Sequence, residues 1–302
     1  MKFRISAVFL AVSLMLTGCS TSQNESVTES ATEPVEETSA EVIKPEGIVY
    51  YVTDHATTDT AQISSLIAEV TDIGYTWQED SLLNMPSDCM VLFINSPQED
   101  ITSEELTFLD SYLDNGGRIL LMMPPDEREV RYKYIERLLE KYCIEMDYDI
   151  VTETDSQRIW DNDPEFIRLD QIEAPRNLPL GENTVNLPAF MHRARSFHMV
   201  YGDNYSAIKQ DAMLQSSATA VGIPCGGVQD DPITYENEQL ITMMYSRDDT
   251  RHNSIIAVAG SSDFLLDENY TAQTSTAVHD WVLGTVYFLV YGYQYWVVPQ
   301  NS

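Results

Sequence analysis

The sequence predicts an α/β fold, a doubly wound and mostly parallel sheet. Four runs, at 48–52, 90–94, 118–123 and 254–260, are apolar almost throughout, as strands are when helices cover both of their faces. Segments with apolar residues at helical spacing alternate with the first three of these runs, the arrangement of a parallel sheet built from crossover units.

Ile48-Val49-Tyr50-Tyr51-Val52 is β-branched and aromatic and reads as a first buried strand ending at Asp54. From Thr58 the pattern turns helical, with Ile63, Leu66, Ile67, Val70 and Ile73 on one face and Gly74 as the stop. Met90 to Ile94 is a second strand, ended by Asn95-Ser96-Pro97. Thr102-Ser103-Glu104-Glu105 has the spacing of a capping box, opens a helix with Leu106, Leu109 and Leu113 inward, and Asn115-Gly116-Gly117 closes it. Arg118 to Met123 is a third strand stopped by Pro124-Pro125, and a helix over roughly 127–141 leads into Ile144 to Val151. The stretch from Asp155 to Asp249 is an irregular middle insertion, with short strands at 197–200, 213–214 and 240–245 that extend the sheet or form a side lobe. Ser254 to Gly260 returns to the core, and a last helix runs from about Thr274 to Gly292. Trp281 to Val298 carries no charge and approaches a membrane span in length, but its glycines, Gln294 and tyrosines favour a buried helix followed by a strand at Tyr295 to Val298.

The amino terminus has its own signature. Lys2 and Arg4 precede an apolar stretch from Ile5 to Leu16, and Leu16-Thr17-Gly18-Cys19 follows. This resembles a bacterial lipoprotein leader, which implies a signal peptide over 1–18, lipid on the Cys19 sulfur and an extracytoplasmic location at the cell membrane or an outer membrane. An ordinary secretory signal is the alternative. Ser20 to Lys44 has no aromatic residue and repeats glutamates, so it cannot bury enough apolar surface to offset chain entropy and serves as a tether. One α/β domain, 45–302, remains.

The chain holds 17 Lys and Arg against 48 Asp and Glu, a net charge of -31. That balance excludes nucleic acid as a partner, because phosphate binding needs a basic surface. Cys89, Cys143 and Cys225 lack zinc-ligand spacing and read as buried thiols, with one disulfide as the alternative. No metal or cofactor motif is evident.

In an open sheet of this kind, ligands bind beyond the carboxyl ends of the strands. The loops there contain Asp54-His55 and Ser261-Ser262-Asp263. None has a glycine-rich phosphate cradle or the tight glycine flanks of a nucleophile elbow, so the five residues are candidates for partner or ligand contact and no catalytic residue is assigned. Helix caps and turn formers are the structural alternative for the same side chains. His192-Arg193-Ala194-Arg195-Ser196-Phe197-His198 is the one basic cluster, and reads as an anion-binding strip or as an intramolecular partner for acidic loops.

Three segments carry a family resemblance. Thr102-Ser103-Glu104-Glu105 through Leu109, Tyr112-Leu113 and Asn115-Gly116-Gly117-Arg118-Ile119-Leu120-Leu121 resemble a helix-turn-strand segment in the extracytoplasmic domain of gliding-motility-type ABC transporter auxiliary proteins. Met213-Leu214-Gln215-Ser216-Ser217 and Ile255 to Leu265 are similar to two further segments, the second with Ser261 where the family often has Asp. The resemblance implies a flavodoxin-like, class I glutamine-amidotransferase-like fold without the nucleophile. It further implies a lipid-anchored, non-catalytic binding domain accessory to an ABC-type permease and ATPase. A solute-binding lipoprotein, or a surface hydrolase with an unrecognised site, is the alternative.

Overall fold

The computed structural model describes residues 47–128, 130–171, 189–200, 205–227, 239–270 and 276–291. The leader, Cys19, the tether and the strand expected at Tyr295 to Val298 lie outside the described residues.

Five strands form a parallel block: β1 (Ile48–Val52), β2 (Thr76–Asp80), β3 (Cys89–Asn95), β4 (Arg118–Met122) and the late strand β14 (Ser254–Ala259), in the order β2-β1-β3-β4-β14. Because successive side chains of a strand point to opposite faces, continuous apolar runs feed two separate cores. Val91 and Phe93, Leu120 and Met122, Ala257 and Ala259 pack on one side with α1 (Ser64–Asp72) and α5 (Thr276–Tyr291). Leu92 and Ile94, Ile119 and Leu121, Ile256 and Val258 pack on the other with α2 (Ser103–Asp114) and α3 (Lys133–Glu140).

Capping sets where these helices start. In α2 the capping box is complete: the Thr102 hydroxyl accepts from the Glu105 amide, and the Glu105 carboxylate accepts from the Thr102 amide. Helix α1 begins later than its apolar pattern, after a 3-10 turn at Thr60–Gln62, where Asp267 accepts from the Ser64 and Ser65 amides. Asp267 itself belongs to the short helix α4 (Asp267–Tyr270). Helix α3 likewise starts where Asp100 accepts from the Tyr134 and Ile135 amides, six residues later than its pattern allows. Among the described residues no helix is long and apolar enough to cross a membrane.

The doubly wound, flavodoxin-like expectation is corrected here. The main sheet has 12 strands and is mixed. Beyond β14 it continues through strands of the middle region, β13 (Ile241–Asp248), β11 (Ile208–Gln215), β8 (Asp163–Gln171) and β7 (Ile159–Trp160), all antiparallel to their neighbours. β9 (Ala189–His192) pairs with β8, while β10 (Phe197–Met199) bridges β13 and β5 (Ile144–Met146). β6 (Asp149–Thr152) and β12 (Val221–Pro224) form a separate two-stranded sheet. The middle is therefore no insertion; it completes the sheet. The strands read at 197–200, 213–214 and 240–245 correspond to β10, the end of β11 and β13, while β8 and most of β11 escape notice because antiparallel strands with one solvated face alternate polar and apolar residues. In β8, Ile167 and Leu169 are buried while Arg168 is exposed and Phe166 and Asp170 are half-buried.

Candidate functional site

Loops after β1, β3, β4 and β14 share the carboxyl edge of the parallel block. Directly after β1 the chain turns through two left-handed residues, His55 at φ 58 and Ala56 at φ 49. Thr57 fixes the turn by donating its hydroxyl to the Val52 carbonyl at 2.7 Å, and the Gln98 amide donates to the His55 carbonyl at 2.8 Å. This conformation turns the imidazole inward.

His55 then lies between two carboxylates. Its Nε2 is 2.9 Å from Glu105 Oε1 and 3.7 Å from Asp54 Oδ1. The His55 and Glu105 side chains are only 9% and 7% exposed, and that of Asp54 is 30% exposed. Each carboxylate spends its other oxygen on the backbone: Glu105 Oε2 accepts from the Thr102 amide at 2.7 Å, and Asp54 Oδ2 accepts from the Leu82 amide at 3.1 Å. Burial raises the Glu105 pKa, but the Thr102 hydrogen bonds and then His55 outweigh it and hold the carboxyl below its ordinary value. One imidazole nitrogen and two carboxylate oxygens thus lie within 4.8 Å of one another, a set that could hold a metal ion.

Ser261, Ser262 and Asp263 form part of a second cluster. Three strand spacings, about 14 Å, separate β1 from β14, so the two clusters are not one constellation. Asp263 Oδ2 is 2.9 Å from His192 Nδ1, and Asp163 Oδ2 is 3.4 Å from His192 Nε2 on its other side. The Ser261 hydroxyl donates to the His192 carbonyl at 2.7 Å. Ser262 is buried and starts the 3-10 turn Asp263–Leu265 through its backbone. Among the described residues no hydroxyl or thiol is hydrogen-bonded to the imidazole of His55 or of His192.

The basic cluster turns inward, as an intramolecular partner of acidic loops. Arg193 pairs with Glu127 at 2.9 Å and Glu165 at 3.7 Å, and His198 pairs with Asp147. Arg195 is buried, 5.0 Å from the Tyr148 ring and 6.0 Å from the Tyr132 ring, with Nη1 2.9 Å from Met146 Sδ. Beside it the Asp149 carboxylate accepts from the Ser196 amide and hydroxyl at 2.9 and 2.8 Å. Burial, reinforced by the charge of Asp147, pushes Asp149 up to about 6 against those hydrogen bonds. Elsewhere, Asp248 and Asp249 serve the turn after β13: Asp248 accepts from Thr250, and Asp249 pairs with Arg247. Cys89, Cys143 and Cys225 are free, buried thiols.

Two residues of this edge escape sequence reasoning. Glu105 shows in the sequence only as a cap, because its second role depends on a left-handed turn 50 positions away. Arg195 shows only as one of a charged cluster, since burial is a tertiary property.

Comparison with known proteins places these observations. Residues 75–162, from β2 to β7, match the family described as the IFT52 GIFT domain. The N-terminal domain of mouse IFT52 has a similar structure, with a TM-score of 0.57 and 16% identity over 80% of this chain and 97% of that one. Alpha-L-fucosidase isoenzyme 2 from Paenibacillus thiaminolyticus (TM-score 0.43, 11% identity, 82% of this chain and 33% of that one) is a more distant similarity. So is the cold-adapted β-galactosidase from Rahnella sp. R3 (TM-score 0.43, 7% identity, 79% and 31%). No curated protein sequence matches. The gliding-motility-type ABC transporter auxiliary domain is accordingly corrected: the matching family and the similar fold are those of IFT52, an intraflagellar transport protein. The roles and partners inferred from that resemblance, ABC permease and ATPase included, fall with it, as does the solute-binding alternative. The likeness to mouse IFT52 shows that this chain has the IFT52 N-terminal fold.

Proposed function

We propose that the protein is a non-catalytic binding subunit of a multi-protein assembly, as IFT52 is a subunit of the intraflagellar transport complex. The observation that carries this reading is the similarity to the IFT52 N-terminal domain over 97% of that domain's length, together with the family match within it. The contact edge we assign is the carboxyl edge of the parallel block. Asp263, His192 and Asp163 stand half-exposed at its β14 end, flanked by Ser261 and Ser262, while Asp54 and His55 occupy its β1 end. Partial exposure favours the β14 end as the surface a partner meets, because polar and charged side chains at a rim set partner choice more than they set fold stability. We further propose an extracytoplasmic location through lipid on Cys19, on the leader sequence alone.

The test pairs folding with association. Asp263→Ala and His192→Ala, made together in the full chain, should leave the thermal midpoint within a few degrees of wild type and release the protein from its native assembly. Retention of the assembly by the double variant would rule out this edge, and a bound substrate turned over by the purified chain would rule out the non-catalytic role.

A further inference from the structure

We propose that Asp54, His55 and Glu105 form a binding site for a divalent transition ion of the Zn2+ class, distinct from the partner-contact role and independent of it. The decisive observation is a mismatch in hydrogen bonding. Nε2 of His55 can carry one proton, and at 2.9 Å it serves Glu105 Oε1. Asp54 Oδ1 is then left buried with no hydrogen-bond partner, 3.7 Å from the same nitrogen. An anionic oxygen in that position is costly. Protonating His55 does not cure this, because two carboxylates still face one positive charge and Nε2 stays 3.7 Å from Asp54 Oδ1. A divalent cation cures it: it neutralises both carboxylates and bonds all three atoms at once.

Geometry and chemistry agree. Metal–ligand bonds of about 2.0–2.1 Å place neighbouring ligand atoms about 2.8–3.4 Å apart in octahedral or tetrahedral sites. The observed 2.9 Å falls in that range, 3.7 Å lies a few tenths of an ångström beyond it, and all three atoms lie within 4.8 Å of one another. The supporting shell is built as well. Backbone amides of Thr102 and Leu82 hold the second oxygen of each carboxylate, which aims the first one at the imidazole. One imidazole with two carboxylates selects borderline ions such as Zn2+ over Ca2+, and the partly exposed Asp54 side leaves room for water in the remaining positions. Bound metal would clamp the β1 loop, the Leu82 turn and the start of α2 into one unit.

Titration of the metal-stripped full chain with Zn2+, followed by calorimetry, and with Co2+, followed by visible absorption, tests this. His55→Asn is suited to the left-handed turn, and Asp54→Asn keeps an acceptor for the Leu82 amide; His252→Asn, at another left-handed position outside the site, is the control. We expect one Zn2+ per chain, a rise in thermal midpoint on binding, a Co2+ band, and loss of affinity by at least about tenfold in the first two variants but not in the control. No binding by the folded wild type, or binding that His55→Asn leaves unchanged, would overturn the site.

Discussion

At the scale of single residues, burial of charge makes the sharpest predictions. Asp149 carries its proton to about 6 in the folded chain, against an ordinary 3.8. Unfolding releases that proton between these values, so stability must fall as pH rises from about 4 to about 6. His198 adds a fall of the same sign at higher pH: burial lowers its pKa, but the Asp147 hydrogen bond and charge outweigh this and raise it above 6.5. A raised histidine stabilises the fold below 6.5 and loses that contribution as pH climbs through the folded value. Asp149→Asn should therefore remove the lower limb, on the order of 3 kcal/mol, and shrink the upper one without abolishing it, because the Asp149 charge supplies only a minor part of the His198 rise, as read by urea unfolding at a series of pH values. Gly260 gives a second prediction. A methyl group there would overlap the Arg195 carbonyl, which lies against the end of β14. Gly260→Ala should cost about 2–4 kcal/mol in the same unfolding measurement.

At the scale of elements, legibility followed hydrophobic pattern. The buried parallel strands and α2 stood out because β3, β4 and β14 are apolar on both faces and because Thr102 and Glu105 have capping-box spacing. β2, Thr-Trp-Gln-Glu-Asp, did not: it is an edge strand with mostly exposed side chains, and only pairing to β1 makes it a strand. The starts of α1 and α3 were misplaced for a related reason. Their caps, Asp267 at the start of α4 and Asp100 in the loop after β3, are distant in sequence, so local spacing carries no signal. Thr102→Ala tests the legible case. Losing its hydroxyl should cost about 1 kcal/mol, and because it frees the turn that aims Glu105, it should also weaken Zn2+ binding, which titration of the folded variant reads directly.

At the scale of the whole molecule, the middle region decides the architecture. Half-polar strands such as β8 and β11 carry no continuous apolar run, so the chain reads as a parallel sheet with an insertion, whereas pairing across β13 and β14 makes one 12-stranded mixed sheet. The fold so formed is similar to that of the IFT52 N-terminal domain, at a TM-score of 0.57. The candidate site was legible only in part. Strand-end position picked out Asp54, His55 and the Ser261–Asp263 turn, but their partners Glu105, His192 and Asp163 come from elsewhere in the chain. The central claim, a binding subunit within an assembly, is tested most directly by the native mass of the tagged chain isolated at its natural level. We predict a discrete, stoichiometric assembly whose cross-links from this chain fall near the β14 end of the carboxyl edge. Isolation of the chain as a free monomer, from a preparation in which other complexes of that cell stay intact, would contradict the account.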